Sequence, residues 1–305
     1  MYMDSASNID GQMSIFDFID HEQGEVSNGI IRLYNEDCFE TMKNMKDGDI
    51  DLILTSPFYN TNKKAGKNLT LENTPKVKHG RRVWVRYDVH VDNMTDDEYC
   101  DYSVNLFNEF DRIVGQNGGV LYNINYGAEN TNGMFKAVNA IITQTNFSIA
   151  DVIAWKKKSA LPNNCSPNRL TRIIEFVFVF CRKDEMKTFR MNKKMVSMRD
   201  NGQKMYENIF NFVEAKNNDG SCPYNKATYS TELCEKLLSM YAPDGATIYD
   251  PFMGSGTTAV ACKRMGLNCI GSEISTNQVK YEIDRLKNEF FTMQDGKDLF
   301  YKLKE

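Results

Sequence analysis

The chain has 305 residues, 41% of them hydrophobic and 26% charged, a balance typical of folded globular proteins and not of disordered ones. Its 37 basic and 41 acidic side chains give a net charge of -4, whereas nucleic-acid-binding domains are usually basic. The sequence shows no signal-peptide pattern and no apolar run of the roughly 20 residues that a membrane span requires. Eight cysteines without a C-x-x-C pair and three scattered histidines indicate reduced thiols of a cytosolic protein and argue against a metal site.

Strand-like and helical patterns alternate along most of the chain. In chain order, we predict strands at 31–35 and 50–55, a helix at 96–114, a strand at 120–125, a helix at 133–145, strands at 149–156 and 173–181, a helix at 231–241, a strand at 247–252, a helix at 257–265, a strand at 269–273 and a helix at 276–291. Several strands are nearly continuous in apolar character, as strands covered on both faces are. The alternation predicts an α/β fold with a mostly parallel sheet.

The domain organisation follows from where these patterns stop. Residues 1–27 are predicted to be a flexible leader, 28–291 one folded domain, and 292–305 a C-terminal tail. Inside the domain, residues 60–95 and about 183–225 lack clean periodicity and look inserted. Connections of that length within a compact domain are usually functional or disordered.

A glycine-containing segment, DPFMGSGTT at 250–258, follows a predicted strand and opens a predicted helix. Glycines at such a turn allow a tight bend and a close backbone approach to a ligand. Glu273 ends the next strand, where a carboxylate can accept hydrogen bonds from ribose hydroxyls, so the pattern favours a nucleoside cofactor. Gly254-x-Gly256-x-x-Ala259 also satisfies the dinucleotide fingerprint. Only about 30 residues follow Glu273, which argues against a dehydrogenase because its second nucleotide lobe and substrate half would be missing.

A second segment, LTSPFYN at 54–60, directly follows the strand DIDLIL. Together with DPFMGSGTT, it resembles the amino-methyltransferases of DNA, whose active-site motif is Asp, Asn or Ser followed by Pro-Pro-aromatic. The order resembles their permuted class, in which the catalytic motif precedes the glycine motif, and the resemblance covers roughly residues 30–290. Phe58 stands where the family has its second proline, a departure that bears on the aim of the Pro57 carbonyl.

The resemblance implies a Rossmann-like fold that binds S-adenosylmethionine, with an inserted target-recognition region. It assigns the catalytic role to Ser56, Pro57 and Tyr59. Ser56 Oγ and the Pro57 carbonyl would accept hydrogen bonds from the amino group of a flipped base, and Tyr59 would stack on that base. The residues that it implies for the cofactor are Asp37, Lys226, Ala227, Asp250, Phe252, Gly254, Gly256, Thr257 and Glu273.

The sequence leaves the substrate partly open. Serine at the first motif position favours cytosine N4 over adenine N6, although adenine N6 stays an alternative. An RNA methyltransferase of the same fold and a non-catalytic DNA-binding module also stay open. The resemblance is to bacterial or phage enzymes of the cytoplasm, which act in restriction-modification or alone.

Although the net charge of the chain is negative, two segments beside the motifs are basic. Residues 60–90 carry eight basic and two acidic side chains, and residues 155–204 carry thirteen and four, which leaves -19 for the remainder of the chain. Basic side chains supply the phosphate contacts of DNA binding. Trp84 in the first segment is a candidate for stacking on DNA. The predicted DNA-contacting residues are Lys63, Lys64, Arg81, Arg82, Trp84, Arg86, Lys156, Lys157, Lys158, Arg169, Arg172, Lys193 and Lys194.

The leader contains Gln12-Met13-Ser14-Ile15-Phe16, which resembles the pentapeptide that binds the bacterial sliding clamp. A flexible tail with apolar anchors suits a groove on a partner. The alternative, that Ile15 and Phe16 pack on the protein's own surface, stays open. The sequence is compatible with a monomer or a homodimer.

Overall fold

The computed structural model describes residues 29–60, 77–78, 81–82, 94–127, 130–159, 167–220, 222–225, 227–290 and 298–303. The strands are β1 (Ile31–Tyr34), β2 (Ile50–Thr55), β3 (Val77–Lys78), β4 (Arg81–Arg82), β5 (Val114–Ile124), β6 (Phe147–Lys157), β7 (Ile174–Arg182), β8 (Met195–Met198), β9 (Lys204–Tyr206), β10 (Phe212–Ala215), β11 (Thr247–Asp250), β12 (Asn268–Ser272) and β13 (Leu299–Lys302). The α-helices are α1 (Cys38–Lys43), α2 (Asp96–Ile113), α3 (Gly133–Gln144), α4 (Thr231–Tyr241), α5 (Thr257–Arg264) and α6 (Thr276–Phe290). Within these ranges, no helix is long and apolar enough to cross a membrane.

Nine strands form one sheet in the order β10-β6-β7-β5-β2-β11-β12-β1-β13. β7 runs antiparallel to its neighbours β5 and β6, and the other neighbouring pairs are parallel. The chain runs outward in one direction from β2 and in the other from β11, so the strand order reverses between these two neighbours. The prediction of an α/β fold with a mostly parallel sheet is therefore confirmed.

The sheet is covered on both faces, which explains its apolar strands. One core layer contains the buried side chains of α4, α5 and α6, and the other contains those of α1, α2 and α3. α2 begins at a capping box in which Thr95 and Glu98 bond each other's backbone N–H groups, the device that its T-D-D-E sequence predicts. The helices on the two faces fix the positions of the strand ends.

Three regions of the chain contain short elements that the sequence did not predict. α1 has six residues and was not predicted. Residues 183–225 contain a hairpin of β8 and β9 and the sheet strand β10. Residues 299–302, which the sequence placed in a C-terminal tail, form β13 beside β1. Strands of three or four residues are too short for alternation to be recognised, so periodicity does not reveal them.

Candidate functional site

The carboxyl ends of β1, β2, β11 and β12 meet at one edge of the sheet. The loops that leave them carry Asp37, Ser56, the glycine turn and Glu273, respectively. In open α/β sheets, ligands bind at this edge, where the strand order reverses. Here the reversal lies between β2 and β11, so the two sequence motifs stand on either side of the same crevice.

A cavity of about 260 Å³ occupies this crevice. Seven of the predicted site residues line it: Asp37, Ser56, Ala227, Phe252, Gly254, Thr257 and Glu273. The other lining residues were not assigned a catalytic or cofactor role from the sequence, although Phe58 and the segment 250–258 belong to the two motifs. They are Cys38, Phe58, Met94, Tyr102, Asn225, Thr228, Tyr229, Pro251, Met253, Ser255, Ser272, Ile274, Ser275 and Gln278. One pocket thus joins the proposed catalytic serine to the proposed cofactor residues.

The glycine turn forms one wall of this cavity. Gly254 has a φ of +60°, and a Cβ added there would lie 3.1 Å from Asn225 Nδ2. The Gly254 N–H donates to Glu273 Oε2 at 3.0 Å, and the Ser275 N–H donates to Glu273 Oε1 at 2.8 Å. Glycine is needed at this turn because its φ is left-handed. The turn and the half-buried carboxylate fit a nucleoside cofactor that needs close backbone approach and a ribose acceptor.

Asp250 does not line the cavity, in contrast to its predicted contact with the cofactor. Its carboxylate is fully buried and accepts hydrogen bonds from the Thr55 hydroxyl (2.7 Å), the Tyr229 hydroxyl (3.0 Å), the Thr258 hydroxyl (2.6 Å) and the Phe252 N–H (3.0 Å). Burial raises the pKa of Asp250 and these hydrogen bonds lower it, with burial the larger effect. Asp250 ties the end of β2 to the glycine motif, so its position supports the cavity from behind.

Gly256 also lies outside the cavity lining, although the sequence predicted that it contacts the cofactor. It precedes α5 with a φ of +76°. A Cβ there would lie 2.4 Å from Glu282 Cγ on α6, so the glycine permits close packing of that helix. Neither carboxyl oxygen of Glu282 has a hydrogen-bond partner in the described part of the chain, and burial raises its pKa well above the ordinary value.

The replacement of the second motif proline by Phe58 has a structural counterpart. The ring is buried among Tyr99, Tyr102 and Phe252, with centroid distances of 5.4, 5.3 and 6.2 Å. The Tyr99 hydroxyl donates to the Phe58 carbonyl at 2.6 Å. Aromatic packing and a backbone hydrogen bond therefore hold the turn where the related motif has a proline ring.

Of the three residues predicted to be catalytic, only Ser56 lines the cavity, and Pro57 and Tyr59 lie outside its lining. Tyr59 contacts the neighbouring strands. Its hydroxyl lies 3.2 Å from Ser56 Oγ, 3.0 Å from Asn123 Oδ1 and 3.1 Å from Glu175 Oε2. Asn123 and Glu175 are not among the residues predicted from the sequence. The sequence did contain one indication of Glu175, since it is the single acid in the otherwise apolar run IIEFVFVFC.

Asp37 and Cys38 stand at the start of α1. Asp37 caps this helix through a 2.9 Å hydrogen bond from the Phe39 N–H, and its side chain is exposed at the cavity. Burial raises the pKa of the Cys38 thiol to about 12. Because the thiolate is the nucleophilic form of cysteine, Cys38 stays a thiol at neutral pH and contributes surface, not reactivity.

The lysine run after the long strand β6 is paired with acids. Lys156, Lys157 and Lys158 form ion pairs with Glu214, Glu175 and Glu232. Two of these acids, Glu214 and Glu232, come from outside the segment whose charge was counted. The basic surface predicted at this run is therefore largely neutralised within the protein.

The remaining predicted DNA contacts are distributed over several segments. Arg172 is exposed, donates to the Tyr126 carbonyl and stacks over its ring, and Arg169 is exposed nearby in sequence. Lys193 and Lys194 precede β8, and Arg81 and Arg82 form β4. Lys63, Lys64, Trp84, Arg86, Lys226 and the segment 12–16 lie outside the described residues.

The fold and site define a class before any relative is considered. A parallel sheet with a nucleoside-sized cavity at its order reversal, a glycine turn and an acid ending the next strand is the arrangement of nucleoside-cofactor enzymes. The family model described as DNA methylase matches residues 50–284. The chain belongs to this family, and it is an S-adenosylmethionine-dependent DNA amino-methyltransferase.

Individual relatives agree with the family. The type II methyltransferase M.MthZI of Methanothermobacter thermautotrophicus is 24% identical over 267 residues, which cover 77% of this chain and 71% of the relative. M.HpaI of Haemophilus parainfluenzae is 22% identical over an alignment that covers 85% of this chain and 75% of the relative. In fold, the chain is similar to the PvuII cytosine-N4-specific DNA methyltransferase, with a TM-score of 0.61 and 16% identity. The superposition covers 90% of this chain and 94% of the PvuII enzyme.

Proposed function

We propose that this enzyme methylates N4 of a cytosine in DNA after the base has been flipped out of the helix. The observation that carries the proposal is the location of Ser56 in the wall of the cavity that also contains the glycine turn and Glu273. Serine at the first motif position resembles the cytosine N4 enzymes. A base within a duplex cannot enter a cavity at the edge of a sheet, so extrusion is required.

The cofactor is assigned to the part of the cavity that is lined by the glycine turn, Glu273 and Asp37. In this assignment Glu273 accepts hydrogen bonds from the ribose, Asp37 lies near the adenine, and the Gly254 turn allows close approach of the backbone. Ala227, whose N–H donates to Asn225 Oδ1 at 2.8 Å, and Phe252 complete the enclosure. When bound, S-adenosylmethionine supplies an electrophilic methyl group on a sulfonium centre.

The role proposed for the Ser56-Pro57 turn is to make a weak nucleophile reactive. The lone pair of an exocyclic amine is delocalised into the ring of the base. Ser56 Oγ and the Pro57 carbonyl accept the two N–H groups, which favours a lone pair localised on nitrogen. The nitrogen would then bond to the methyl carbon as the bond from that carbon to the cofactor sulfur breaks. The demethylated cofactor, S-adenosylhomocysteine, would leave as a neutral thioether, and the positively charged nitrogen would release one proton to solvent. Most of the rate enhancement therefore comes from positioning and electrostatics.

The identity of the base is tested by nucleoside analysis. Purified protein is incubated with S-adenosylmethionine carrying a labelled methyl group and with double-stranded DNA of mixed sequence. Enzymatic digestion and mass spectrometry then distinguish N4-methylcytosine from N6-methyladenine. N4-methylcytosine is the expected product, whereas N6-methyladenine would overturn the proposed base but not the family.

The role of Ser56 is tested by Ser56→Ala. Loss of one acceptor is expected to lower the single-turnover rate about 100-fold, as removal of a transition-state hydrogen-bonding group typically does. Ser239→Ala is a matched control because Ser239 is exposed on α4, where its hydroxyl donates to the Lys236 carbonyl. An unchanged rate in Ser56→Ala, with cofactor binding intact by calorimetry, would remove Ser56 from the mechanism.

A further inference from the structure

Ser56 belongs to a hydrogen-bonded chain that the mechanism above does not use. The chain runs from Ser56 Oγ through the Tyr59 hydroxyl (3.2 Å) to Glu175 Oε2 (3.1 Å). The other oxygen of Glu175 is paired with Lys157. These groups come from the loop after β2, from β7 and from β6, so three parts of the sheet converge behind the serine.

The direction of donation along this chain matters for Ser56. A serine hydroxyl has one proton and two acceptor lone pairs, whereas an ionised carboxylate only accepts. Because Glu175 accepts from Tyr59, the Tyr59 proton points toward Glu175 and the Tyr59 oxygen is left to accept from Ser56. The Ser56 proton then points away from the cavity, and a Ser56 lone pair is available to the amine.

Asn123 supports the same direction from β5. Its amide nitrogen donates to the Phe176 carbonyl at 3.0 Å, which orients the amide so that Oδ1 faces the Tyr59 hydroxyl at 3.0 Å. An amide oxygen accepts and does not donate. Both neighbours of Tyr59 on the strand side are therefore acceptors, so Asn123 as well as Glu175 draws the single Tyr59 proton away from Ser56.

We propose that Glu175 is a positioning residue that acts through Tyr59 to keep Ser56 a hydrogen-bond acceptor for the target amine. Lys157 holds the carboxylate in place by occupying its second oxygen. The side chains of Glu175 and Lys157 are 15% and 25% exposed, so water competes little for these contacts. This proposal rests on the proposed function of Ser56 and extends it to a strand that neither sequence motif includes.

The test is Glu175→Gln, which keeps the shape of the side chain and adds an amide donor. If that donor faces Tyr59, it competes with Ser56 for the lone pairs of the Tyr59 oxygen, so the Ser56 proton is no longer held away from the amine. We expect a single-turnover rate roughly 10-fold lower, equivalent to about 1.4 kcal/mol in the barrier, with the KM for S-adenosylmethionine unchanged. Tyr59→Phe should lower the rate similarly, and the double variant should be no slower than the slower single variant, because both break one chain.

Glu214→Gln is the matched control. Glu214 pairs with Lys156, the neighbour of Lys157, across β10 and β6, whereas the acid that contacts Tyr59 is Glu175. This variant should retain the wild-type rate, and thermal unfolding should show that all variants are folded.

Three results separate this proposal from the function on which it rests. If the wild-type protein methylates DNA and Glu175→Gln is equally fast, the positioning role is wrong while the proposed function stands. If the rate losses of Glu175→Gln and Tyr59→Phe multiply in the double variant, the two residues act independently. The proposal that Glu175 acts through Tyr59 is then wrong. If wild-type protein transfers no methyl group to DNA, the proposed function itself fails.

Discussion

Asp250 and Glu282 both have buried carboxyl groups, which differ in their hydrogen bonding. Asp250 accepts four hydrogen bonds, whereas neither oxygen of Glu282 has a partner among the described residues. A buried carboxylate without hydrogen bonds is costly, so such a group retains its proton. Asp250 therefore acts as a structural junction, and Glu282 occupies space beside Gly256 in its neutral form.

The pKa of Glu282 differs between the folded and the unfolded protein, and this difference predicts how stability depends on pH. The unfolded chain loses this proton near the ordinary pKa of 4.5, and burial raises the pKa of the folded protein well above that value. The contribution of Glu282 to stability is complete below pH 4.5 and is lost as the pH rises toward the folded pKa. Of the charged groups around it, Glu273 and Asp250 raise this pKa and Arg285 lowers it. Glu282→Gln should therefore gain stability relative to wild type as the pH rises from about 5 to 8.

Urea unfolding at several pH values measures this difference. Glu289→Gln is the control on the same helix, since Glu289 pairs with Arg264 and its replacement should lower the free energy of unfolding by about 0–1 kcal/mol. A Glu282→Gln variant whose difference from wild type does not change with pH would show that Glu282 is not held neutral.

At the scale of elements, the two motif loops were predictable and their neighbours were not. β2 and β11 are apolar runs that lead into LTSPFYN and DPFMGSGTT, so the sequence placed each motif at the carboxyl end of a strand. The approach of Glu175 to Tyr59 depends on β7 running antiparallel beside β5. Periodicity reveals strands but not their direction, and for this reason Asn123 and Glu175 were not predicted.

The start of α5 gives a prediction at the same scale. Gly256→Ala places a Cβ at a left-handed φ and 2.4 Å from Glu282 Cγ, whereas Gly202→Ala, at a φ of +79°, has no atom within 4 Å of the new Cβ. Gly202→Ala should therefore show only the backbone cost, about 1–2 kcal/mol. Gly256→Ala should lose clearly more, because α6 must also shift. Equal losses in urea unfolding would contradict the proposed packing role of Gly256.

For the whole molecule, the distribution of charge differs from what segment totals predict. Lys156, Lys157 and Lys158 are paired with acids, and Arg190 is paired with Asp51. Among the described residues, four basic side chains in the β8–β9 hairpin or directly before it form no ion pair: Lys193, Lys194, Arg199 and Lys204. Counting residues within one segment cannot detect acids that the fold brings from another. This hairpin is therefore the better candidate for phosphate binding.

The difference between paired and unpaired lysines predicts that DNA affinity will depend differently on salt concentration in two double variants. Lys193→Gln with Lys194→Gln should weaken DNA binding and reduce the slope of log affinity against log salt concentration by about 0.9 for each phosphate that the variant no longer neutralises. Lys156→Gln with Lys158→Gln should change the slope less, because these lysines are already paired. Fluorescence anisotropy at several salt concentrations measures both slopes. A larger change in the second variant would contradict the assignment to the hairpin.

The hydrogen bond between Thr55 and Asp250 joins residues 195 positions apart. The two walls of the cavity are therefore synthesised at widely separated times, and neither wall encloses a cofactor alone. Contacts of such sequence separation form late because closing a long loop costs entropy. A nascent or truncated chain that ends before β11 lacks this junction. Methyl transfer therefore requires both walls, and a chain truncated before β11 is expected to transfer no methyl group.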